Sequence, residues 1–225
     1  MSLFQDMATN LETLSGELYK CFLQTLQMLG VSSIFFFILG MFFGMVLVVT
    51  KQGGIMQNLI VYRILDKAID VIRSIPFIIL MVLLIPVSRA VVGTAIGVTG
   101  AYVALICGTV PFFARQVETA VSDTDHGLIE ASAAMGFSPM EIIFKVYLRE
   151  SVPSIARVTM ITLVNLVGLT AMAGAIGAGG LGDFAIRYGY QMHKTDMTVL
   201  TVLIILVIVS VIQAVGNIVI NKTTH

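Results

Sequence analysis

Very few residues in this 225-residue chain have a type and spacing that could support chemistry. Residues 177–182 read Gly-Ala-Gly-Gly-Leu-Gly, which matches the GxGxxG pattern of dinucleotide-binding turns. That pattern binds a pyrophosphate where it joins a strand to a helix, whereas here it closes an apolar run. The three histidines, His126, His193 and His225, are too far apart to predict a metal site. We interpret the glycines as flexible backbone, with tight packing as the alternative.

The remaining chemistry-bearing residues do not predict an enzyme. No GxxxxGK[ST] segment occurs, so we do not expect this chain to bind ATP through a P-loop. The 13 basic residues balance the 13 acidic ones, which favours neither nucleic acid nor an acidic partner. Cys21 and Cys107 both lie in apolar runs, which predicts packing rather than a disulfide. We expect no catalytic residue, cofactor, metal or nucleic-acid partner.

The composition is that of a membrane protein. Of all residues 57% are hydrophobic and 12% are charged, against about 25% charged in an ordinary soluble domain. The acidic residues among the first twenty argue against a cleavable signal peptide. Four runs contain neither charged residues nor histidine, and each exceeds the length needed to cross about 30 Å of hydrocarbon. These runs are Cys21–Thr50, Ala90–Ala114, Val158–Gly182 and Met197–Asn221.

A fifth span is predicted where a shorter apolar stretch, residues 74–88, follows a charged helix start. We expect Pro76 and Pro86 to kink this span or open its ends. The alternative is a re-entrant segment, which would place both termini on one side of the membrane. The fold predicted is therefore all-α with five transmembrane helices, at about 21–49, 60–88, 90–114, 155–180 and 197–220.

The basic residues orient these spans. One side would hold Lys51, Arg63, Lys67, Arg73, Arg115, Lys145, Arg149, Arg157 and Lys222. The other side would hold Lys20, Arg89, Arg187 and Lys194. Because the side richer in Lys and Arg faces the cytosol, we expect the N-terminus outside and the C-terminus in the cytosol.

Residues 123–150, here called the polar segment, lie between the third and fourth spans and would face the cytosol. Residues 122–125 offer N-caps for a helix that ends at Gly136. Ser138-Pro139-Met140-Glu141 then reads as a capping box with proline at the first helical position. An apolar face of Ile142, Ile143, Val146 and Tyr147 and a Glu141–Lys145 pair follow. We predict two short helices at a fixed elbow, serving either as a docking surface or as a hairpin packed on its own spans.

The polar segment resembles the EAA motif of ATP-binding-cassette importer permeases. That motif reads Glu-Ala-Ala, three residues, Gly, nine residues, Ile-x-Leu-Pro. Glu130-Ala131, Gly136 and Leu148 match it, while Ser132, Val146 and Arg149 depart from it. The resemblance implies a helix that docks on a separate ATPase. It assigns that contact to Glu130, Ala131, Ser132, Met135, Gly136, Phe137, Ser138 and Pro139.

Four further segments are similar to the methionine importer permeases of this family: 74–86, 111–118, 129–143 and 173–190. The resemblance implies a permease domain over 20–215, an extracytoplasmic segment 1–19 and a cytosolic end 216–225. It also implies a cell-membrane homodimer, two cytosolic ATPase subunits, and an extracytoplasmic solute-binding protein or lipoprotein. The expected function is ATP-driven import of D- or L-methionine, with another small solute as the alternative.

The pathway is expected along the fourth span. The deep polar residues are mostly Thr, with Asn165 and Gln213, and an ion-coupled carrier would usually keep an intramembrane charge. A stand-alone carrier or a membrane enzyme is therefore disfavoured. The resemblance places the gate near Met172, and Met160, Asn165 and Leu169 are further candidates, with ordinary packing as the alternative. An outer lip is expected at Gly177, Gly179, Gly180 and Gly182.

Overall fold

The computed structural model describes the backbone of residues 3–223, and the side chains of that range apart from 3–9 and 11. Within this range the secondary structure is helical, with no strand. The α-helices are α1 (Leu3–Thr50), α2 (Leu59–Ser74), α3 (Phe77–Leu83), α4 (Ile85–Val92), α5 (Gly97–Ser122), α6 (His126–Ala134), α7 (Pro139–Ile142), α8 (Leu148–Glu150), α9 (Val152–Ala173), α10 (Gly180–Phe184) and α11 (Thr195–Thr223). His225, one of the residues considered above, lies outside the described part.

Four of the described helices are long and apolar enough to cross a membrane. They cover Glu12–Thr50, Gly97–Ser122, Val152–Ala178 and Thr195–Thr223. Two of the uncharged runs, Cys21–Thr50 and Met197–Asn221, lie wholly within these stretches. The third span begins at Gly97 instead of residue 90, because residues 90–92 end α4, and the run Val158–Gly182 extends four residues beyond Ala178. The prediction of an all-helical membrane protein is confirmed at this level.

The stretch predicted as the second span is divided into three helices. α2 ends at Ser74, just before Pro76, because the residue preceding a proline is disfavoured in helical conformation. Leu84 has a ψ near 0° and separates α3 from α4, in which Pro86 occupies the first turn. Gly93, left-handed with φ +78°, ends α4. A single helix over 60–88 is thus replaced by a charged helix and two short apolar ones.

Two π-helical segments, Ile143–Tyr147 and Ala185–Gln191, also depart from the predicted regular helices. A kink follows α9, where Ile176 and Gly177 have non-helical backbone angles with φ of −113° and +98°. π-turns are frequent at functional sites because they widen a helix locally. Ile143–Tyr147 lies within the polar segment, and Ala185–Gln191 contains Arg187, whose ion pair with Asp183 is described below.

The chain forms two compact units. The first contains α1 up to Ile34, then residues 75–108 and 163–212; the second contains the remaining parts of the same long helices and the polar segment. In the first unit Cys21, Phe184 and Met197 form a buried cluster.

In the second unit α1, α2 and α5 meet around Leu47, Ile69 and Ala114. Glycines allow the close approach of α1 to α5. A Cβ at Gly40 would lie 2.7 Å from the Phe113 ring, and one at Gly44 would lie 2.6 Å from Val117. Phe113 also stacks edge-on against Phe36 with ring centroids 5.0 Å apart. This part of α1 is therefore fixed against α5, the helix that leads into the polar segment.

Candidate functional site

Local capping interactions shape the first helix of the polar segment. The Asp125 Oδ1 atom accepts a hydrogen bond of 2.8 Å from the Gly127 N–H and starts α6. At the other end Gly136 has φ +84°, and the Phe137 N–H donates back to the Ser132 carbonyl at 3.2 Å. This is the Schellman arrangement, which satisfies the last carbonyls of a helix and turns the chain sharply. The predicted helix and its glycine stop are confirmed.

A complete capping box starts the second helix. Ser138 Oγ accepts from the Glu141 N–H at 3.3 Å, and Glu141 Oε2 accepts from the Ser138 N–H at 3.0 Å. Lys145 Nζ donates to Glu141 Oε1 at 2.8 Å and lies 5.2 Å from the centre of the Phe137 ring. The hydrogen bond from Lys145, followed by those from Ser138, lowers the pKa of Glu141 to about 2. The elbow is therefore held by charge-assisted bonds.

The inner face of the polar segment is buried. Ile142, Ile143, Val146 and Tyr147, the four residues predicted as one apolar face, each retain less than a tenth of their exposure. Ile129 on α6 is buried with them. The interpretation as a hairpin packed on its own protein therefore holds for this face.

The outer face of the same segment exposes large apolar side chains. Leu128, Met135, Met140 and Phe144 are between 41% and 68% exposed. Clustered exposed apolar residues rimmed by charges mark interaction surfaces in soluble regions of proteins. Sequence analysis missed Met140 and Phe144, although their i,i+4 spacing on the side opposite the buried face was a usable signal. We call these four residues the docking face.

Most of the residues assigned to ATPase contact are exposed, and Met135 belongs to the docking face itself. Six are exposed: Glu130, Ala131, Met135, Gly136, Ser138 and Pro139. Phe137 is half-buried beneath Lys145. Ser132 is buried, and its Oγ donates to the Leu128 carbonyl at 2.8 Å. Ser132 therefore supports α6 from inside and presents no surface to a partner.

An arginine clamp lies in the same compact unit, between α2 and α5. Arg115 Nη2 donates to Asp66 at 2.7 Å and to Asp70 at 2.9 Å, and Nη1 donates to Glu118 at 2.6 Å. The Tyr62 hydroxyl donates to Glu118 at 3.4 Å. One guanidinium thus satisfies three carboxylates and ties the charged helix α2 to α5. The sequence analysis assigned Arg115 to the cytosolic side but did not predict its pairing with these carboxylates.

Helix α9, which corresponds to the predicted fourth span, carries the residues considered for the pathway. Asn165 and Met172 are exposed and lie seven residues apart, so they share one face of the helix. Leu169 is half-buried. Met160 packs against α11, where a Cβ at Gly216 would lie 2.6 Å from the Met160 sulfur. Asn165 and Met172 are therefore available to line a pathway, whereas the contact of Met160 fits ordinary packing.

The lip (Gly177–Gly182) is a defined turn held by α1. Gly177, Gly179 and Gly180 have φ values of +98°, +84° and +80°. Gln24 Oε1 accepts from the Gly180 N–H at 2.9 Å, and Thr25 Oγ1 accepts from the Leu181 N–H at 2.8 Å. These bonds satisfy the start of α10, so the turn is anchored as well as glycine-rich.

The glycines of the lip differ in what surrounds them. At Gly177 a Cβ would meet no atom within 4 Å, so only its backbone conformation demands glycine. At Gly182 a Cβ would overlap the Ala171 backbone, so this residue allows α10 to lie directly against α9. The flexible-backbone interpretation suits Gly177, and the tight-packing alternative suits Gly182.

Two ion pairs beside the lip were not anticipated. Arg187 binds the Asp183 carboxylate through Nε at 3.0 Å and also through Nη2. Lys20 Nζ lies 3.6 Å from Glu17 on α1. The i,i+4 spacing of Asp183 and Arg187 was a signal in the sequence, whereas their approach to α1 depends on tertiary structure.

Known proteins resemble this chain over most of its length. Residues 37–224 match the family model described as binding-protein-dependent transport system inner membrane component. The probable D-methionine transport system permease protein MetI of Vibrio cholerae serotype O1 is 44% identical over 202 residues, 90% of each chain. The methionine import system permease protein MetP of Bacillus subtilis is 40% identical over 175 residues, 78% of this chain and 79% of that protein.

Solved structures show the same fold. A structure of inward-facing conformations of the MetNI methionine ABC transporter superposes with a TM-score of 0.93 at 41% identity, covering 95% of this chain and 99% of that one. An amino acid ABC transporter solved with histidines superposes with a TM-score of 0.78 at 15% identity, covering 95% and 97%. The second likeness concerns the fold alone.

Proposed function

Because the chain belongs to the family of inner membrane components of binding-protein-dependent transport systems, we propose that it forms the translocation pathway of an ATP-driven methionine importer. The observation that carries the substrate is that the relatives matching over most of both chains are named as methionine permeases. Both enantiomers are included, since some of these relatives are named for D-methionine and others for methionine. The chain is a cell-membrane protein and a transport subunit, not an enzyme.

ATP hydrolysis belongs to a separate chain. The sequence lacks a P-loop, and the similar solved structure is of a transporter named for two components, MetN and MetI. The working assembly is a permease homodimer with two cytosolic ATPase subunits. A solute-binding protein or lipoprotein would deliver the substrate from outside, and the family description, which names a binding-protein-dependent transport system, supports such a partner.

The proposed topology has five crossings. In support, Lys20, which precedes the predicted first span, and Gly97, the first residue of α5, line one cavity. A chain that enters two spans from the same side must cross once between them, which assigns a crossing to α2–α4. The N-terminus, including residues 1–19, and the lip then face outward, and the polar segment and residues 216–225 face the cytosol.

The polar segment transmits the motion of the ATPase. Its exposed apolar side chains would enter a groove of the ATPase, while Glu130 and Lys145 at the rim would fix the orientation. The capping box and Gly136 keep the elbow stiff, so displacement of the docking face moves α5 and α9 together. Two copies would place Asn165 and Met172 of each chain along the shared pathway, with Met172 near the gate and the lip above it.

Co-purification with the partner ATPase tests this function. Glu130→Arg and Gly136→Pro should abolish ATPase binding while membrane insertion stays normal, because one reverses a rim charge and the other breaks the left-handed turn. Glu150→Arg is the matched control, since it reverses an exposed acid of the polar segment away from the docking face. Import of labelled methionine into vesicles containing the complete complex is the second measurement. ATP-independent uptake by the chain alone would contradict the proposal.

A further inference from the structure

We propose that a cavity beside the lip binds the zwitterionic head group of a free α-amino acid, with Arg187 holding the carboxylate and Glu17 the ammonium group. The cavity has a volume of about 360 Å³, within the range of about 300–1,000 Å³ that small-molecule sites occupy. Its lining includes Glu17, Lys20, Gln24, Gly179, Asp183 and Arg187. We call it the lip cavity.

Arg187 is positioned in advance to receive a carboxylate. Asp183 is buried, and both of its oxygens accept from Arg187, so the guanidinium plane is fixed. The guanidinium carbon also lies 5.6 Å from the centre of the Tyr188 ring. These contacts use Nε and Nη2, and for Nη1 the described residues provide no partner. Two N–H groups of a fixed guanidinium therefore remain available to a ligand in the cavity.

Glu17 and Lys20 form the adaptable half of the lip cavity. Their 3.6 Å separation is long for a charge-assisted hydrogen bond, and both side chains are more than 40% exposed. A pair of this kind contributes little to stability, so a ligand can replace it at small cost. An ammonium group on Glu17 and a carboxylate near Lys20 would give each side chain a better partner. Gln24, whose Oε1 is already bonded to Gly180, presents its amide N–H₂ group as a further donor.

The balance of charge selects the ligand class. The lip cavity is lined by two cations and two anions, so it is formally neutral. A zwitterion supplies one charge of each sign and leaves the site neutral, whereas an isolated carboxylate or amine would give the site a net charge. The ligand is therefore an amino acid with both α-groups free. The described lining contains few apolar side chains, so the substrate side chain must point outward or toward the pathway.

This inference rests on the proposed function for its place in transport. If the lip faces outward, the cavity is the point at which a substrate released by the binding protein is first held by the permease. Cavity binding itself can be measured without import, so the two proposals fail independently.

Saturation-transfer NMR on the ATPase–permease complex in lipid nanodiscs, without binding protein, tests the lip cavity. The probes are L-methionine, L-methioninol, which lacks the carboxylate, and 4-(methylthio)butanoate, which lacks the amine. Signal from the ATPase alone is subtracted. We expect methionine to bind and each analogue to bind about tenfold more weakly, since each loses one charge-assisted contact. Arg187→Gln and Glu17→Gln should weaken methionine binding about tenfold, whereas Glu12→Gln, an exposed acid on α1 outside the cavity, should not.

Import measurements complete the test. Arg187→Gln should raise the methionine concentration for half-maximal import, whereas Glu12→Gln should leave it unchanged. Equal binding of the three probes, or methionine binding by Arg187→Gln equal to wild type, overturns the lip cavity even if import proceeds. If Arg187→Gln does not fold, Glu17→Gln still tests the lip cavity, because it changes only an exposed ion pair. Methionine binding by Glu17→Gln equal to wild type would then overturn the proposal. Failure of wild-type import with normal zwitterion binding would instead contradict the proposed function.

Discussion

At the scale of single residues, Gly136 determines how α6 turns into α7. Its φ of +84° costs about 1–2 kcal/mol for a residue with a side chain, and a Cβ there would meet no neighbouring atom within 4 Å. Gly136→Ala should therefore loosen the elbow by that amount through backbone strain alone. Hydrogen exchange measured by mass spectrometry over residues 126–147 should rise accordingly. Gly16→Ala, at a helical glycine with equally open surroundings, should leave that region unchanged.

The Glu141–Lys145 pair makes a pH prediction at the same scale. The pKa of Glu141 is lowered to about 2 from its ordinary 4.5, chiefly by the hydrogen bond from Lys145. Its contribution to the elbow is thus complete above about pH 4.5 and is lost as the pH falls toward 2. A ¹³C NMR titration of the Glu141 carboxyl should show a midpoint near 2, rising toward 4.5 in Lys145→Gln. Equal midpoints in the two proteins would show that the pair contributes nothing.

Residue-scale features were predictable where they depend on near neighbours in sequence. The Asp125 cap, the Gly136 turn, the Ser138 capping box and the Glu141–Lys145 pair all follow from spacings of four residues or fewer. The bonds of Arg115 to Asp66 and Asp70 join residues 49 and 45 positions apart, so no local rule could find them. The inward position of Ser132 likewise depends on what α6 packs against.

At the scale of helices, the arginine clamp makes α2 and α5 one structural element. Arg115→Met would remove the cation that pairs with three carboxylates, of which Glu118 is buried. The substitution should therefore lower the free energy of unfolding by roughly 2–4 kcal/mol. Asp70→Asn is the matched control, because that carboxylate is half exposed and its loss should cost less than about 1 kcal/mol. Thermal unfolding of the detergent-solubilised protein should rank the two variants in this order. A larger effect for Asp70→Asn would contradict the clamp.

The lip offers a second test at this scale. A Cβ at Gly180 would lie 2.7 Å from Thr25 Oγ1 and 2.8 Å from Met28 Cε, so Gly180→Ala must push α10 away from α1. Gly177→Ala adds only backbone strain. Gly180→Ala should therefore impair import far more than Gly177→Ala at matched expression. Similar import by the two variants would show that contact with α1 does not matter.

The second span shows where prediction of elements from sequence fails. Hydropathy identified the four uninterrupted runs because each alone is long enough to cross the hydrocarbon layer. Residues 59–92 reach a comparable length only when α2, α3 and α4 are taken together, with breaks at residues 75–76 and at Leu84. Pro76 and Pro86 indicated that this stretch is interrupted, but the packing of α2 depends on the arginine clamp, whose partners lie far apart in sequence.

At the scale of the whole molecule, cysteine labelling can decide the number of crossings. Gln52 and Ile96 flank the divided segment and are both exposed. With five crossings, Gln52→Cys should react only with reagent supplied from the cytosol, and Ile96→Cys only with impermeant reagent supplied from outside. Native Cys21 is buried and Cys107 half-buried, so replacing both by Ala gives a clean background. Reaction of both introduced cysteines from one side would favour the re-entrant alternative and overturn the proposed topology.

The bonds from Gln24 and Thr25 to the start of α10 carry a consequence for gating. Any movement that parted these elements would leave the amide N–H groups of Gly180 and Leu181 unsatisfied, at about 1–3 kcal/mol each where water cannot reach them. The turn and the leading portion of the first helix should therefore travel as one piece during the transport cycle. Any hinge in α1 must therefore lie after Thr25, beyond the two residues that bond to the turn.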